Sequence, residues 1–208
     1  MSNPLQLASS SLILGSTSPR RKELLQKAGI LFTVAAPDID ETPLKKESPQ
    51  KMVQRLSLEK AKEVVRLVNQ EKDFFVLSAD TTVVSDRGKN LGKPTDRADA
   101  LKMLKSLQGR SHFVFTAYAI LKIKDGKIVK KVSKLVKTTV TFRKMDVKEL
   151  NAYLDLGESM DKAGAYGAQA AGMMLISKIN GSYTSVIGLP LSEVLSDLKK
   201  IGFHQNAK

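Results

Sequence analysis

The chain passes from a strand to a helix in Leu12-Ile-Leu-Gly-Ser-Thr-Ser-Pro-Arg-Arg-Lys-Glu-Leu-Leu25. The apolar run at its start is typical of a buried strand, and Pro19 suits the first position of a helix. Two serine hydroxyls and two guanidinium groups lie where the strand passes into the helix, on Ser16, Ser18, Arg20 and Arg21. Because the first amides of a helix are unpaired and its dipole favours an anion, this turn is a candidate phosphate-binding site.

Strands and helices alternate along the rest of the chain, which is typical of an α/β protein. Apolar runs predict strands over 11–15, 31–35, 74–85, 112–123, 128–142 and 172–179. Helical periodicity and capping residues predict helices over 19–28, 48–70, 97–108, 146–156 and 191–201. Asp125-Gly126 predicts a tight hairpin turn, Asp146 with Glu149 predicts a capping box, and Gly181-Ser182 predicts a turn. We therefore expect a mixed, twisted sheet with flanking helices, in two lobes around a central cleft.

The composition is that of a protein with a full hydrophobic core. The 208 residues, 42% of them hydrophobic, are enough to form one domain over residues 10–203, with tails at 1–9 and 204–208. No apolar run approaches the ~20 residues of a membrane span, and the N-terminus lacks a signal-peptide pattern. The absence of cysteine excludes disulfides, thiolate metal sites and cysteine nucleophiles. These features fit a cytoplasmic protein without a membrane partner.

The charge of the chain is strongly basic. It has 34 basic and 21 acidic residues, a formal net charge of +13, which attracts polyanions. Much of the excess lies in the predicted hairpin region between Lys122 and Glu149. Lysines on the solvent face of a hairpin usually serve solubility and protect its edge. Since aromatic side chains are not interleaved with these lysines, the pattern disfavours nucleic acid as a partner.

A carboxylate interrupts the apolar strand Phe74-Phe-Val-Leu-Ser-Ala-Asp-Thr-Thr-Val-Val84 at Asp80. Such a group is costly to bury unless it is paired or binds a metal, and burial shifts its pKa in a way that suits base catalysis. Downstream, Leu91-Gly-Lys-Pro94 places Lys93 on a rigid turn. Gln169 follows a glycine- and alanine-rich loop, and its amide offers both a donor and an acceptor for the edge of a base.

Each of these features also has a purely structural explanation. Ser18 could cap the helix and leave the two arginines solvated, and Asp80 could cap a bend in its strand. Lys93 could lie on an ordinary turn, and the loop before Gln169 could be packed with a polar edge. The individual motifs do not decide between these alternatives.

Several motifs occur in a fixed order along the chain. They are Ser16-Thr-Ser-Pro-Arg-Arg21, Ala79-Asp-Thr81, Gly92-Lys-Pro94, Gly109-Arg110 with His112, Val140-Thr-Phe-Arg143, Gly157-Glu158, Asp161-Lys-Ala-Gly-Ala-Tyr-Gly167 with Gln169, and Val186-Ile-Gly-Leu-Pro-Leu191. In order and spacing, from about Leu12 to Leu195, this set resembles the Maf family. The resemblance implies a house-cleaning nucleoside triphosphate pyrophosphatase with a fold similar to that of inosine triphosphate pyrophosphatases. It also implies a homodimer that uses a divalent metal, Mg²⁺ or Mn²⁺, and cuts between the α and β phosphates.

The same resemblance implies roles for individual residues. Asp80 matches the catalytic aspartate, which is proposed to activate water and is expected to bind the metal, and Glu41 resembles a carboxylate thought to help hold metal or water. The residues that match phosphate contacts are Ser16, Ser18, Arg20, Arg21, Lys60 and Lys93. Lys60 has a simpler alternative in a solvated ion pair with Glu63, one turn further along its helix.

A substrate is implied as well. Arg20, Thr81 and Gln169 stand where the dTTP/UTP subgroup of the family has arginine, threonine and glutamine. A glutamine amide can exchange two hydrogen bonds with the O4/N3 edge of uracil or thymine, which favours dTTP and UTP. Room for the thymine methyl group would also admit modified pyrimidine triphosphates. The sequence departs from the usual family pattern at Ala170, Ser185 and Thr82, where glycine, asparagine and an apolar residue are common.

Two other functions stay open at this point. The nucleotide site could belong to a regulatory protein that acts in cell-division arrest, as is suggested for parts of the family. Alternatively, the lysines between Lys122 and Lys148 could bind nucleic acid, which a steep dependence of binding on salt would reveal. The intact Asp80 and Lys93 argue against a nucleotide site that only senses, without excluding a second role.

Overall fold

A mixed sheet and six helices make up the part of the chain that the computed structural model describes, residues 11–68 and 73–204. The strands are β1 (Ser11–Gly15), β2 (Thr33–Ala35), β3 (Phe74–Val84), β4 (Asn90–Leu91), β5 (Ser111–Lys124), β6 (Lys127–Phe142) and β7 (Ile176–Asn180). The helices are α1 (Pro19–Lys27), α2 (Pro49–Leu67), α3 (Arg97–Leu107), α4 (Val147–Asp155), α5 (Tyr183–Ile187) and α6 (Leu191–Lys200). Short 3-10 helices occupy Ala163–Ala165 and Ala170–Leu175. Within the described ranges, no helix has the length and apolar character that crossing a bilayer requires.

The long strand β3 is only partly paired along one edge. The strand order is β2-β1-β3-β5-β6-β7, with β1 parallel to β2 and β3 and the other pairs antiparallel. On its β1 side, β3 pairs with β1 as far as Leu77 and with β4 only at Val83 and Val84. Between these two pairings, at residues 78–82, no described strand pairs with this edge of β3. A gap beyond the carboxyl end of a parallel strand is a common place for a ligand site.

Alternation of side chains gives the sheet two different faces. Even-numbered residues of β3, such as Phe74 and Val76, pack in a cluster with α2. Odd-numbered residues face the other layer, where α1 and α6 pack around Leu77 and where α3 and α4 pack around Val83. The two expected lobes are therefore two groups of helices on one continuous sheet. The gap beside β3 lies between them.

The hairpin turn and the capping box are confirmed. Asp125 and Gly126 have positive φ angles of 49° and 69°, as the predicted two-residue turn between β5 and β6 requires. Asp146 and Glu149 form the predicted capping box at the start of α4. In both cases the interacting groups lie within three residues of each other, so the local sequence is enough to predict them.

The predicted strand over 172–179 is partly wrong, because its first half is a 3-10 helix that precedes β7. Gly172 packs directly on Gly167, and a Cβ atom at Gly172 would lie 1.6 Å from the carbonyl oxygen of Gly167. Ala170 has a φ angle of 54°, a left-handed conformation that glycine adopts at lower cost. These backbone contacts depend on how the loop folds back, so apolar periodicity does not reveal them.

Other boundaries also differ from the prediction. Helix α5 forms where the sequence predicts only a turn, because the hydroxyl of Ser182 accepts a hydrogen bond from the Ser185 amide and caps it. Strand β2 begins at Thr33 and is shorter than predicted. Helix α2 ends at Leu67, because Val68 is already extended, and the predicted end at Gln70 lies outside the described residues, as do most of the predicted tails.

The buried hydroxyl of Tyr118 ties α6 to the sheet. It donates to Oδ2 of Asp197 at 2.6 Å, and the Nζ atom of Lys134 lies 2.8 Å from Oδ1.

We expect Tyr118→Phe to lower the free energy of unfolding by about 2 kcal/mol, since a buried carboxylate loses a donor. Urea denaturation measures the change. Tyr183→Phe is the control, because the half-exposed Tyr183 hydroxyl makes only a 3.4 Å bond. Equal effects of the two substitutions would contradict the role of Tyr118.

Candidate active site

A cleft of about 590 Å³ opens at the unpaired edge of β3. Its walls come from the turn between β1 and α1, the loop over 37–43, one side of α2, the loop over 161–166 and the end of α5. Its volume falls within the range of sites that enclose small-molecule ligands. The cleft brings together most of the residues that the sequence predicts: Ser16, Ser18, Arg20, Arg21, Glu41, Lys60, Asp80, Thr81 and Lys93.

Arg21 is held in this cleft by three neutral oxygen atoms. Its Nε atom donates to the carbonyl of Gly188 at 2.9 Å, Nη1 to the hydroxyl of Ser16 at 3.0 Å and Nη2 to the hydroxyl of Thr81 at 3.4 Å. Within the described residues, no carboxylate lies within salt-bridge distance of the guanidinium. Burial lowers the pKa of Arg21, although the field of Asp80 opposes this. An enclosed cation without a partner of opposite charge is a strong binding site for an anion.

The other groups at the start of α1 are arranged around the same space. The side chain of Ser18 makes no capping bond to α1, and its backbone amide donates to Ser16 Oγ at 3.3 Å. The alternative in which Ser18 serves as a side-chain cap is therefore not realised. Burial lowers the pKa of the half-buried Arg20, and the charge of Asp161 opposes this shift. Lys93 is exposed and lines the cleft just after β4.

Lys60 joins two carboxylates from different parts of the chain. Its Nζ atom lies 2.8 Å from Oδ1 of Asp80 and 2.7 Å from Oε1 of Glu41. Lys60 and Asp80 are only 8% and 9% exposed, so Lys60 is not the solvated partner of Glu63, which instead pairs with Arg66. Burial raises the pKa of the Asp80 carboxyl, although the charges of Lys60 and Arg21 act in the opposite direction.

The Glu41–Asp80 pair is the part of the cleft that fits a divalent cation. Both carboxylates approach one position, now taken by the Lys60 ammonium group, and carboxylate oxygens are the ligands that Mg²⁺ and Mn²⁺ prefer. The described residues contain no group of three or more His, Cys, Asp or Glu side chains that could hold a metal alone. Two carboxylates completed by phosphate oxygens of a ligand match the usual mode of Mg²⁺ binding.

The predicted specificity residue Gln169 lies away from the cleft lining. It is half-buried and precedes the 3-10 helix over Ala170–Leu175. The same loop instead places Asp161, Lys162 and Tyr166 in the cleft wall, three residues for which the sequence predicts no role in the site. The Nζ atom of Lys162 donates to Oδ1 of Asp161 at 2.5 Å. The sequence does carry a signal for these three residues, because they are polar or aromatic side chains in a loop that is otherwise rich in glycine and alanine.

Comparison with known proteins identifies the family of the chain. A family model described as Maf-like protein matches residues 11–201. The chain belongs to the Maf-like family. A relative from Geobacter sulfurreducens, named dTTP/UTP pyrophosphatase, is 45% identical over 192 residues, which cover 92% of this chain and 96% of the relative. A relative of the same name from Shewanella denitrificans is 47% identical over 186 residues, covering 87% of this chain and 91% of the relative.

One solved structure shows a more distant likeness to this Maf-like chain. It is the crystal structure of a nucleoside-triphosphatase/dITP/XTP pyrophosphatase from Mycobacterium abscessus. The alignment covers 93% of this chain and 98% of that one, at 12% sequence identity and a TM-score of 0.43.

A buried histidine supports one wall of the Maf-like cleft. His112 is fully buried, and its Nε2 atom lies 2.7 Å from the hydroxyl of Tyr166, which lines the cleft. In the described part of the chain, Nδ1 of His112 has no hydrogen-bond partner. A protonated ring would therefore bury a charge and an unpaired donor. Burial accordingly lowers the pKa of His112 to about 4.

This shift makes the stability of the fold depend on pH. Between the unfolded pKa of 6.5 and the folded pKa of about 4, the unfolded state binds a proton that the folded state does not. We therefore expect the unfolding free energy to fall by up to about 3 kcal/mol, because of His112, as the pH falls across this window. Denaturant unfolding of the wild type and His112→Gln from pH 7 to 4 isolates the contribution. The matched control is His204→Gln, at an exposed histidine, which should keep the wild-type profile. If His112→Gln had the same dependence of unfolding free energy on pH as the wild type, His112 would not be its cause.

Proposed function

We propose that this Maf-like protein hydrolyses dTTP and UTP between the α and β phosphates, releasing the nucleoside monophosphate and pyrophosphate. Relatives of 45% and 47% identity over most of the chain carry the name dTTP/UTP pyrophosphatase. The structural observation that carries the proposal is the unpaired, enclosed cation of Arg21, which faces the buried carboxylate of Asp80 across one cleft. An anion site beside a proton acceptor is what hydrolysis of a phosphoanhydride needs.

In the proposed reaction, Asp80 is the general base. A water molecule attacks the α-phosphorus, its proton passes to the Asp80 carboxylate, and the bond from the α-phosphorus to the bridging oxygen breaks. The raised pKa of Asp80 makes it a better proton acceptor near neutral pH. Until a cation binds there, Lys60 holds this carboxylate in place through the 2.8 Å contact. The three cations Arg20, Arg21 and Lys93 stabilise the charge that develops on the departing pyrophosphate.

The cation that we propose for this reaction is Mg²⁺ or Mn²⁺. Glu41 and Asp80 would hold it together with phosphate oxygens of the substrate. When bound, such an ion neutralises phosphate charge and makes a coordinated water easier to ionise. Lys60 must then move away from at least one of its two carboxylates, which its long, flexible side chain permits.

Selection of the base is proposed to involve Arg20, Thr81 and Gln169. Arg20 and Thr81 line the cleft, and Gln169 follows the loop that supplies Asp161 and Tyr166 to its wall. A glutamine amide that pairs with the O4/N3 edge would leave unpaired polar groups against cytosine, which reverses the donor and acceptor there. The same pocket would accept pyrimidine triphosphates modified at the position of the thymine methyl group.

Pyrophosphate release by the purified protein tests the proposal directly. The substrates are dTTP, UTP, CTP, dGTP and 7-methyl-GTP, each with Mg²⁺, with Mn²⁺ and with chelator. We expect turnover of dTTP and UTP that disappears with chelator. Turnover confined to other nucleotides would overturn the roles of Gln169 and Thr81 but keep the reaction. Absence of release from every substrate would overturn the reaction itself.

We also propose that the protein acts as a homodimer in the cytoplasm. A cysteine-free chain suits the cytoplasm because it needs no disulfide, and the dimer rests on the resemblance to the family. Sedimentation equilibrium of the purified protein distinguishes a dimer from the 22.8 kDa monomer.

A further inference from the structure

A chain of hydrogen bonds leads from Arg21 into the interior of the sheet. Nη2 of Arg21 donates to Thr81 Oγ1 at 3.4 Å, and Thr81 Oγ1 lies 3.0 Å from Thr116 Oγ1 on the neighbouring strand. The Thr116 hydroxyl then donates to the carbonyl oxygen of Ser185 at 2.7 Å. Thr81 and Thr116 meet because the register of β3 and β5 places them directly opposite each other.

This series of hydrogen bonds closes into a ring. The Ser185 carbonyl also accepts from the amide of Gly188 at 3.0 Å. The carbonyl of Gly188 in turn accepts from Nε of Arg21 at 2.9 Å. Two of the three oxygens that hold Arg21, Thr81 Oγ1 and the Gly188 carbonyl oxygen, are therefore linked to each other through Thr116. Thr81 bonds Thr116 directly, and Gly188 is linked to Thr116 through the Ser185 carbonyl.

Hydrogen-bond chemistry fixes the direction of every bond in this ring. A hydroxyl has one hydrogen to donate, and a carbonyl oxygen can only accept. Because Thr116 gives its hydrogen to Ser185, it must accept from Thr81 at their shared contact. Thr81 then has only lone pairs left for Arg21, which suits a guanidinium that can only donate. Each hydrogen bond of the ring therefore joins one donor to one acceptor.

We propose that Thr116 is a positioning residue, which sets the orientation of the Arg21 guanidinium for the triphosphate. Thr116 is fully buried and is not part of the cleft lining, so it acts through its neighbours and not on the substrate. With Nε and one hydrogen on each terminal nitrogen engaged by the protein, the remaining two of five N–H groups of this cleft-lining side chain are held in fixed directions. This inference rests on the proposed function, because it assumes that Arg21 binds substrate phosphate.

Thr116→Val is the test, since valine keeps the shape of threonine and removes the hydroxyl. We expect kcat/KM for dTTP to fall about tenfold, because a guanidinium without its fixed orientation misplaces the phosphates. Thr116→Ser restores a hydroxyl and should recover most of the loss. The matched control is Thr138→Val: Thr138 is an equally buried threonine that also bonds into this region, at Ser182, but lies outside the ring. It should change kcat/KM less than about twofold.

A double-mutant cycle separates positioning from general damage to the fold. In an Arg21→Lys background the ring is already broken, so adding Thr116→Val should cost less than about twofold further. A full tenfold loss in that background, or wild-type activity of Thr116→Val alone, would overturn the proposal. If the wild type itself releases no pyrophosphate, the proposed function fails, and calorimetric binding of inorganic tripolyphosphate decides the inference. In that measurement, a tenfold weaker affinity of Thr116→Val for tripolyphosphate supports the positioning role of Thr116, and an unchanged affinity overturns it.

Discussion

Replacing Asp80 with asparagine is expected to slow pyrophosphate release from dTTP by about 10²–10⁴-fold, the usual contribution of general acid–base catalysis. Asparagine fills the same space but cannot take a proton from water. The stability of the fold should not suffer, because burial disfavours the charged form of Asp80 and Lys60 keeps its contact with Glu41. We therefore expect the urea midpoint of Asp80→Asn to equal or exceed that of the wild type.

The two measurements together distinguish catalysis from folding. Asp86→Asn is the matched control, since Asp86 follows the same strand and pairs with Arg110 outside the main cleft. It should retain activity within about twofold. Retained activity in Asp80→Asn would refute the role of Asp80 as the base, and a lowered urea midpoint would show that the carboxylate serves the fold.

Replacing Arg21 with lysine is expected to reduce kcat/KM for dTTP at least about 100-fold, although the charge is kept. A lysine ammonium cannot reach the three acceptors of Gly188, Ser16 and Thr81 and still present donors in fixed directions to a phosphate. Loss of one such preorganised donor group costs about 10²–10³-fold in other active sites. Steady-state kinetics with dTTP measure the effect.

The control for this substitution lies next to it in the chain. Lys22→Met removes a positive charge from the same helix, and Lys22 does not line the cleft. It should leave kcat/KM within about threefold of the wild type. If Arg21→Lys and Lys22→Met had similar, small effects, the helix would contribute only its general charge, and the specific geometry of Arg21 would be irrelevant to the reaction.

The sequence predicts the parts of this site that depend on local pattern. The turn before α1 and the carboxylate within β3 stand out because a strand that meets a helix, and a charge inside an apolar run, are visible over about ten residues. Lys60 and Glu41 do not stand out in this way. Only the family resemblance identifies them, because the contact between them joins a loop and a helix that the local pattern does not relate.

The contacts that complete the site could not be predicted, since they are long-range. Arg21 and Gly188 are separated by 167 positions in the chain, and no short motif relates them. Thr116 looks like any other residue of an alternating strand until the pairing register places it opposite Thr81. The fold of the loop over 163–175 depends on the close backbone contact of Gly167 with Gly172, which apolar periodicity does not encode.

The partial pairing of β3 has a consequence for how the protein refolds. Strands β5 and β6 are joined by a two-residue turn and can pair early, because closing such a short loop costs little entropy. The pairing of Ser11 with Phe74 in β1 and β3 must close a much longer loop, and it is this pairing that creates one side of the cleft. We expect the far-ultraviolet circular dichroism signal to recover before the ability to bind dTTP in stopped-flow refolding. Simultaneous recovery of both signals would show that the sheet forms in one step, with no stage at which the hairpin exists without an active site.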